Sequence, residues 1–402
     1  MASEPEKTVQ ITPLLKRLWP APAQENVAAL EIAAAISHIF TNSLTPVQTG
    51  ALLTALHFTG LDRDPKVLAA CASAMRSAAA PIDHSAIRTA IANRVPKQGT
   101  YAGGLCDIVG TGGDSHNTFN ISTTASILAS SYLLIAKHGN RASTSRSGSA
   151  DLLQSTLPTA PLLDAITPSS LSKLYSKTNY AFLFAPIFHP GMRFVAPIRK
   201  ELGWRTIFNL LGPLANPLDC AGETLLEARV IGVARRDVGP AFAESLKLAG
   251  AKRALVVCGD EELDELSCAG PTHCWQVSGN AEIEYFMLHP SHFGFPSHPL
   301  SEVGGGKEPG ENAETLMRIL RGEMGEEEAL MHFVLINTAA LLVISGICEA
   351  DTSGEGDEGT VIMERGPGNG RWKEGVRRAR LAIKSGRALQ EWTRFVEATH
   401  SV

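Results

Sequence analysis

A chain of 402 residues, 44% hydrophobic and 19% charged, has the composition of an ordinary globular protein and can hold one large domain plus a small one. Its formal charge of −5 excludes a global field that would draw in nucleic acid or an anionic membrane, so any anion site must be a local gathering of basic groups. Seven scattered cysteines without a CxxC pair argue against a disulfide framework, and CAGPTHC (268–274) lacks the second pair that a zinc site needs. The polar, acidic start MASEPEKTVQ carries no signal pattern and no apolar run reaches membrane-spanning length, so the expected location is the cytoplasm.

Residues 1–95 read as helices only, with apolar residues at helical spacing through NVAALEIAAAISHIF, TPVQTGALLTALHFTG and DPKVLAACASAMRSAA. Thr45 before Pro46 predicts a helix start and Gly60 its end. NRVPKQGTYAGG (93–104), rich in glycine and proline, reads as a linker. Strands then alternate with helices. CDIV, YLLIA, EARVIGV and ALVVCG are short and bounded by turn signals, and TTASILASS, SADLLQ and VGPAFAESLKLAG between them are helical. This alternation predicts an α/β fold with a mainly parallel sheet covered by helices. EEALMHFVLINTAALLVISG (327–346) predicts a long buried helix, and residues 349–374, rich in glycine and acids, predict a mobile surface insertion. The expected division is a helical domain at 1–100 and a large α/β domain at 101–402.

In open α/β sheets ligands bind beyond the C-terminal ends of the strands, which selects three polar clusters. After DIV comes GTGGDSHNTFNIST, where missing Cβ atoms would let backbone N–H groups meet a phosphate and Asn120, Ser122 and Thr123 open a helix. After YLLIA comes KHGNRASTSRSGSAD (137–151), with Lys137, His138, Arg141 and Arg146 among five serines and threonines, the surface a diphosphate needs. After ALVVCG comes DEELDELS (260–267), whose five acids are either a solvated face or a Mg²⁺ site that shares its ion with substrate phosphates. A fourth segment, FLFAPIFHPGMRFVAPIRKELGWRTIFNLLGPLANP (182–217), follows no predicted strand. Its apolar surface with Arg193, Arg199 and Arg205 suits a small aromatic acid, or else belongs to a domain-connecting helix.

GTGGD with NTFNIST, KHGNR with SGSAD, FHPGMR with RTIFNLLGPLANP, and LDELS with GPT resemble, in this order, the anthranilate phosphoribosyltransferases of tryptophan biosynthesis. The resemblance runs from about residue 27 to the end, broken by the insertion, and KHGNR together with FNLLGPLANP is its most specific part. It implies a small helical domain, completed by helices from about 189–210, a large α/β domain of nucleoside-phosphorylase type, and a homodimer. It also implies Mg²⁺ and two small-molecule substrates, 5-phosphoribosyl 1-diphosphate and anthranilate, with no nucleic acid and no membrane as partners. Carried over by position, Gly110, Gly113, Asp114, Thr118, Asn120, Ser122, Thr123, Lys137, Asn140, Arg141, Ser145 and Ser149 contact the diphosphate substrate. Ser122, Asp264 and Glu265 match the metal positions. Gly110, Asn140 and Arg199 match anthranilate contacts, and His138, His189 and Pro213 line its channel. Gly191, Arg193 and Arg146 stand where the family commonly has Ala, Lys and Lys, changes that keep the charge.

The implied reaction moves the phosphoribosyl group onto the amine of anthranilate and releases diphosphate, with no residue assigned as acid or base. Two rivals remain at this level. A pyrimidine nucleoside phosphorylase would share the fold, but KHGNR with SGSAD argues against it. A non-catalytic, nucleic-acid-binding relative would need a basic surface, which a charge of −5 without a basic stripe does not provide.

Overall fold

The computed structural model describes residues 8–19, 27–92, 94–142, 146–219, 224–304, 308–352 and 360–402. The N-terminal third is helical: α1 (Thr12–Leu18), α2 (Ala29–Phe40), α3 (Pro46–Thr59), α4 (Pro65–Ser77) and α5 (His84–Ile91). The Thr45 hydroxyl accepts from the Gln48 N–H and Gly60 closes α3 in the left-handed conformation, as its sequence predicts. Asp64 caps α4 by accepting from the N–H groups of Lys66 and Val67. Helices α1–α4 share one apolar core with the far face of the sheet. Helix α5 buries Ile87 and Ile91 in the other core, against α8 (Leu171–Lys177). The expected linker is held too: Tyr101 is buried, and its hydroxyl donates to the Gly104 carbonyl and accepts from the Leu134 N–H.

Seven strands form one sheet: β1 (Leu105–Gly110), β2 (Leu134–Gly139), β3 (Tyr180–Phe184), β4 (Leu226–Gly232), β5 (Arg253–Gly259), β6 (Thr272–Ser278) and β7 (Glu284–Leu288). Their order is β3-β2-β1-β4-β5-β6-β7, the first five parallel and the last two antiparallel. The parallel strands are nearly continuous apolar runs because helices cover both faces. These helices include α6 (Ile121–Ala129), α7 (Ser149–Gln154), α12 (Gly239–Leu248), α13 (Pro309–Leu320) and α14 (Ala329–Ser345), the long buried helix. Among the described residues no helix is long and apolar enough to cross a membrane.

Three expectations change. YAFLF is a strand, so the fourth segment also begins at a strand's C-terminal end, followed by α9 (Ala185–Phe188), α10 (Ala196–Leu202) and α11 (Phe208–Leu211). Strand β2 begins two residues later than YLLIA suggests, which puts Lys137 and His138 on the strand rather than in the loop. The surface insertion is narrower than 349–374. Trp372 is buried at the start of α15 (Trp372–Lys384), its indole N–H donates to the Pro367 carbonyl, and its ring meets Phe286 and Phe293. Glu374 is fully buried between Arg377 and Arg378 and accepts from the Ile362 N–H. Glycine and acid content masked one aromatic anchor. Residues 353–359, within the expected insertion, lie outside the described residues.

Candidate active site

The C-terminal ends of β1, β2, β3 and β5 meet in one cleft. The glycine loop after β1 is tied down by this chain's own groups. The Gly112 N–H donates to Asp264 Oδ2 at 2.6 Å, and Arg205 donates to the Gly112 carbonyl at 2.9 Å. A Cβ on Gly110 would lie 2.2 Å from Asp264 Oδ2, and one on Gly113 would lie 1.5 Å from an Arg205 terminal nitrogen. At Gly110 the Asp264 backbone carbonyl closes the same space at 3.2 Å, so glycine is required there, whereas at Gly113 the space is taken by the flexible tip of Arg205. Nothing lies within 4 Å of the missing Cβ of Gly112, where φ is +67°. His116 adds a tie at 2.8 Å to the Glu261 carbonyl.

Asp264, Glu265 and Asp114 converge below this loop. Burial, then the charge of Asp114, pushes Asp264 up to about 7. Burial and the same neighbours hold Glu265 well above the usual carboxylate range, although the Thr118 hydroxyl (3.2 Å from Oε2) and the Ser122 backbone N–H act to lower it. This oxygen-rich, over-crowded set fits a divalent hard cation. Among the described residues no three His, Cys, Asp or Glu groups close around a metal by themselves, so phosphate oxygens would have to complete a Mg²⁺ shell.

Successive strand residues face opposite ways, and on β2 this sorts the basic cluster. Lys137 is buried between β1 and the start of α6, its ammonium donating to the Ile108 carbonyl at 2.6 Å and the Ser122 hydroxyl at 3.3 Å. Burial lowers its pKa, against the pull of Asp107, Glu265 and Asp264. Asn120 precedes α6 but makes no cap. It donates to the Ser147 carbonyl and accepts from Ser147 Oγ and Asn312. The Thr123 hydroxyl donates to Ser149. Asp151, which sequence reasoning left out, accepts from Ala142 N–H at 2.8 Å and Gly148 N–H at 3.1 Å, pinning both flanks of the basic loop, and pairs with Arg141 at 3.1 Å. Its place in SGSAD, three residues past the cap position Gly148, was the available signal. Ser145 lies outside the described residues.

His138 faces the other way, into a cavity of about 490 Å³ that is also lined by Gly110, Asn140, His189, Arg199 and Pro213, with Met75, Met192 and Phe208 supplying apolar surface. All six residues matched to the aromatic acid thus share one wall. His138 Nδ1 lies 3.2 Å from the Gly212 carbonyl, so it carries the proton, and buried Nε2 keeps a lone pair with no partner. Burial, then neighbouring His189, drives His138 down to about 3; burial drives His189, whose Nε2 donates to the Ala215 carbonyl, to about 4. Arg199 lies against the Phe208 ring with no carboxylate partner among the described residues. Asn216, also in the fourth segment, instead holds the sheet, donating to Asp107 and to the Ala136 carbonyl.

The family models of the glycosyl transferase family match residues 12–79 for the helical bundle domain and 102–389 for the a/b domain. Anthranilate phosphoribosyltransferase of Schizosaccharomyces pombe is 39% identical over 95% of this chain and 94% of its own, and that of Herpetosiphon aurantiacus is 37% identical over 92% and 94%. The Saccharomyces cerevisiae enzyme in complex with PRPP and Mg superposes with a TM-score of 0.79 at 31% identity, covering 98% of both chains. The Thermus thermophilus enzyme gives 0.73 at 34% identity, over 94% of this chain and 97% of its own. With the helical bundle, the parallel sheet and the cleft all in place, the chain belongs to the anthranilate phosphoribosyltransferase family.

Proposed function

We propose that the cleft transfers the phosphoribosyl group of 5-phosphoribosyl 1-diphosphate to the amine of anthranilate, releasing diphosphate. The observation that carries this reading is an unpaired guanidinium, Arg199, in an apolar cavity that opens beside the three carboxylates through shared Gly110. Arg199 takes the acceptor's carboxylate, and Met192, Phe208 and Pro213 take its ring. The unpartnered Nε2 of His138 accepts a hydrogen bond from the acceptor amine. An imidazole this hard to protonate orients that amine and is no proton store. Gly110, Gly113, Asp114, Thr118, Asn120, Ser122, Thr123, Asn140, Arg141 and Ser149 form the donor side, where Lys137 acts through Ser122. Asp264 and Glu265, with Ser122, hold Mg²⁺, which when bound neutralises charge on the departing diphosphate. Holding amine and C1 in line supplies roughly 7 kcal/mol in well-oriented cases.

Anthranilate emission should fall only when enzyme, 5-phosphoribosyl 1-diphosphate and Mg²⁺ are all present. Phosphorolysis of thymidine or uridine in its place would overturn the reading. A cytoplasmic homodimer belongs to the same proposal, with the domain division expected near residue 100 moved ahead of α5. Trp19, Leu30 and Val47, all exposed on the helical part, support the dimer, and light scattering tests it. The packing of α5 against α8 favours a boundary ahead of α5.

A further inference from the structure

Arg205 stands outside every group of residues matched to either substrate, yet it is the side chain that reaches across the cleft. It comes from the stretch between α10 and α11, and Phe208, Asn209, Gly212 and Pro213 just after it line the acceptor cavity. Its guanidinium donates to the Gly112 carbonyl at 2.9 Å and fills the space beside Gly113 where a Cβ would stand. On the opposite edge of the same residue, the Gly112 N–H donates to Asp264. Gly112 is thus held between an arginine that follows α10, next to the acceptor cavity in the chain but outside its lining, and a carboxylate of the candidate metal loop. With φ values of +67° and +79°, Gly112 and Gly113 have few intrinsic reasons to keep one shape, so the loop depends on these two side chains.

We propose that Arg205 is a positioning residue for the donor half of the site: it sets the glycine loop so that Asp264 and the loop's N–H groups face the diphosphate. The inference rests on the transferase reading. Two arginines six residues apart then serve opposite substrates, Arg199 the acceptor directly and Arg205 the donor through Gly112. The planar fork of Arg205 matters as well as its charge, since one nitrogen bonds the carbonyl while another fills the gap at Gly113.

Arg205 is exposed on the cleft wall, so Arg205→Ala should fold with an unchanged melting temperature. Its KM for 5-phosphoribosyl 1-diphosphate should rise about tenfold or more, the scale of one lost charge-assisted hydrogen bond, while the KM for anthranilate stays within about twofold. Calorimetric binding of inorganic diphosphate with Mg²⁺ should weaken in parallel, and Arg205→Lys should recover only part of either loss. A second arm uses the glycines. Gly112→Ala and Gly113→Ala carry the same positive-φ strain, but only Gly113→Ala meets Arg205, so it should lose more diphosphate affinity. In the Arg205→Ala background that excess should vanish. Equal rises in both KM values with a lowered melting temperature, or losses that multiply in the double variant, would overturn the proposal. If wild-type enzyme transfers no phosphoribosyl group, the transferase reading fails by itself, and the calorimetric arm still decides whether Arg205 holds the loop.

Discussion

On the side of the cleft proposed for the donor, nearly every polar group already has a partner in this chain: Gly112 with Asp264 and Arg205, Lys137 with Ser122, Asn120 with Ser147, Asp151 with both flanks of the basic loop. On the side proposed for the acceptor, Arg199 and His138 Nε2 stand without one in an apolar cavity. A highly charged ligand can draw groups away from internal partners, because a metal-bridged diphosphate offers stronger ones. A small aromatic acid cannot repay such exchanges, so its site keeps the polar contacts open beforehand and pre-organised.

The largest effect expected from this contrast is on the carboxylates. Asp264→Asn with Glu265→Gln should lower turnover by about 100-fold or more, the scale of lost electrostatic stabilisation. Yet in metal-free buffer at pH 8 the variant should melt higher than wild type. The folded-state pKa of Asp264 is raised to about 7, so its stabilising share is complete below the unfolded carboxylate value near ~4 and is lost as pH rises towards 7. A lower melting temperature at pH 8 would mean that these acids hold structure. Next comes Arg199→Ala, which should raise the KM for anthranilate about ten- to a hundredfold and leave the donor KM unchanged. Similar penalties for both substrates would erase the distinction between the two sides.

A smaller effect concerns the buried imidazoles. His138 and His189 have depressed folded-state pKa values of about 3 and 4, so stability is complete above the unfolded histidine value near ~6.5 and is lost as pH falls below it. Each histidine should contribute up to about tenfold in the folding equilibrium per pH unit, and His138→Gln should make the acid limb shallower by that slope. An unchanged limb would show that His138 is not the group being charged. The smallest effect should come from Asp151→Asn. With one anchor of the basic loop kept, the donor KM should rise about fivefold and the acceptor KM should not move. A larger loss would mean that the loop shapes both halves.

Much of this was legible in the residues alone. Thr45, Pro46 and Gly60 mark a helix through capping and φ preference, which are local. Four strands, the glycine loop, the basic loop and the carboxylate run are contiguous motifs at strand ends, where a parallel sheet exposes its ligand-facing loops. Strand β3 escaped notice because YAFLF runs into an equally apolar APIF without a turn signal. Trp372 escaped because glycines and acids surround it. Lys137 and His138 looked like one basic pair until strand alternation sent Lys137 towards Ser122 and His138 into the apolar cavity.

The helical start, the alternating core and the short motifs that carry polar chemistry can be read along the chain, because periodicity, capping and turn preference act over a few residues. What those motifs touch depends on how distant segments pack. Gly112 meets Asp264 from 152 residues away and Arg205 from 93, and the missing Cβ atoms of Gly110 and Gly113 leave room for those two side chains. Such contacts leave no periodic mark on the chain, because it is the stacking of β1 beside β4 and β5, with α10 and α11 folded over their ends, that brings the groups together.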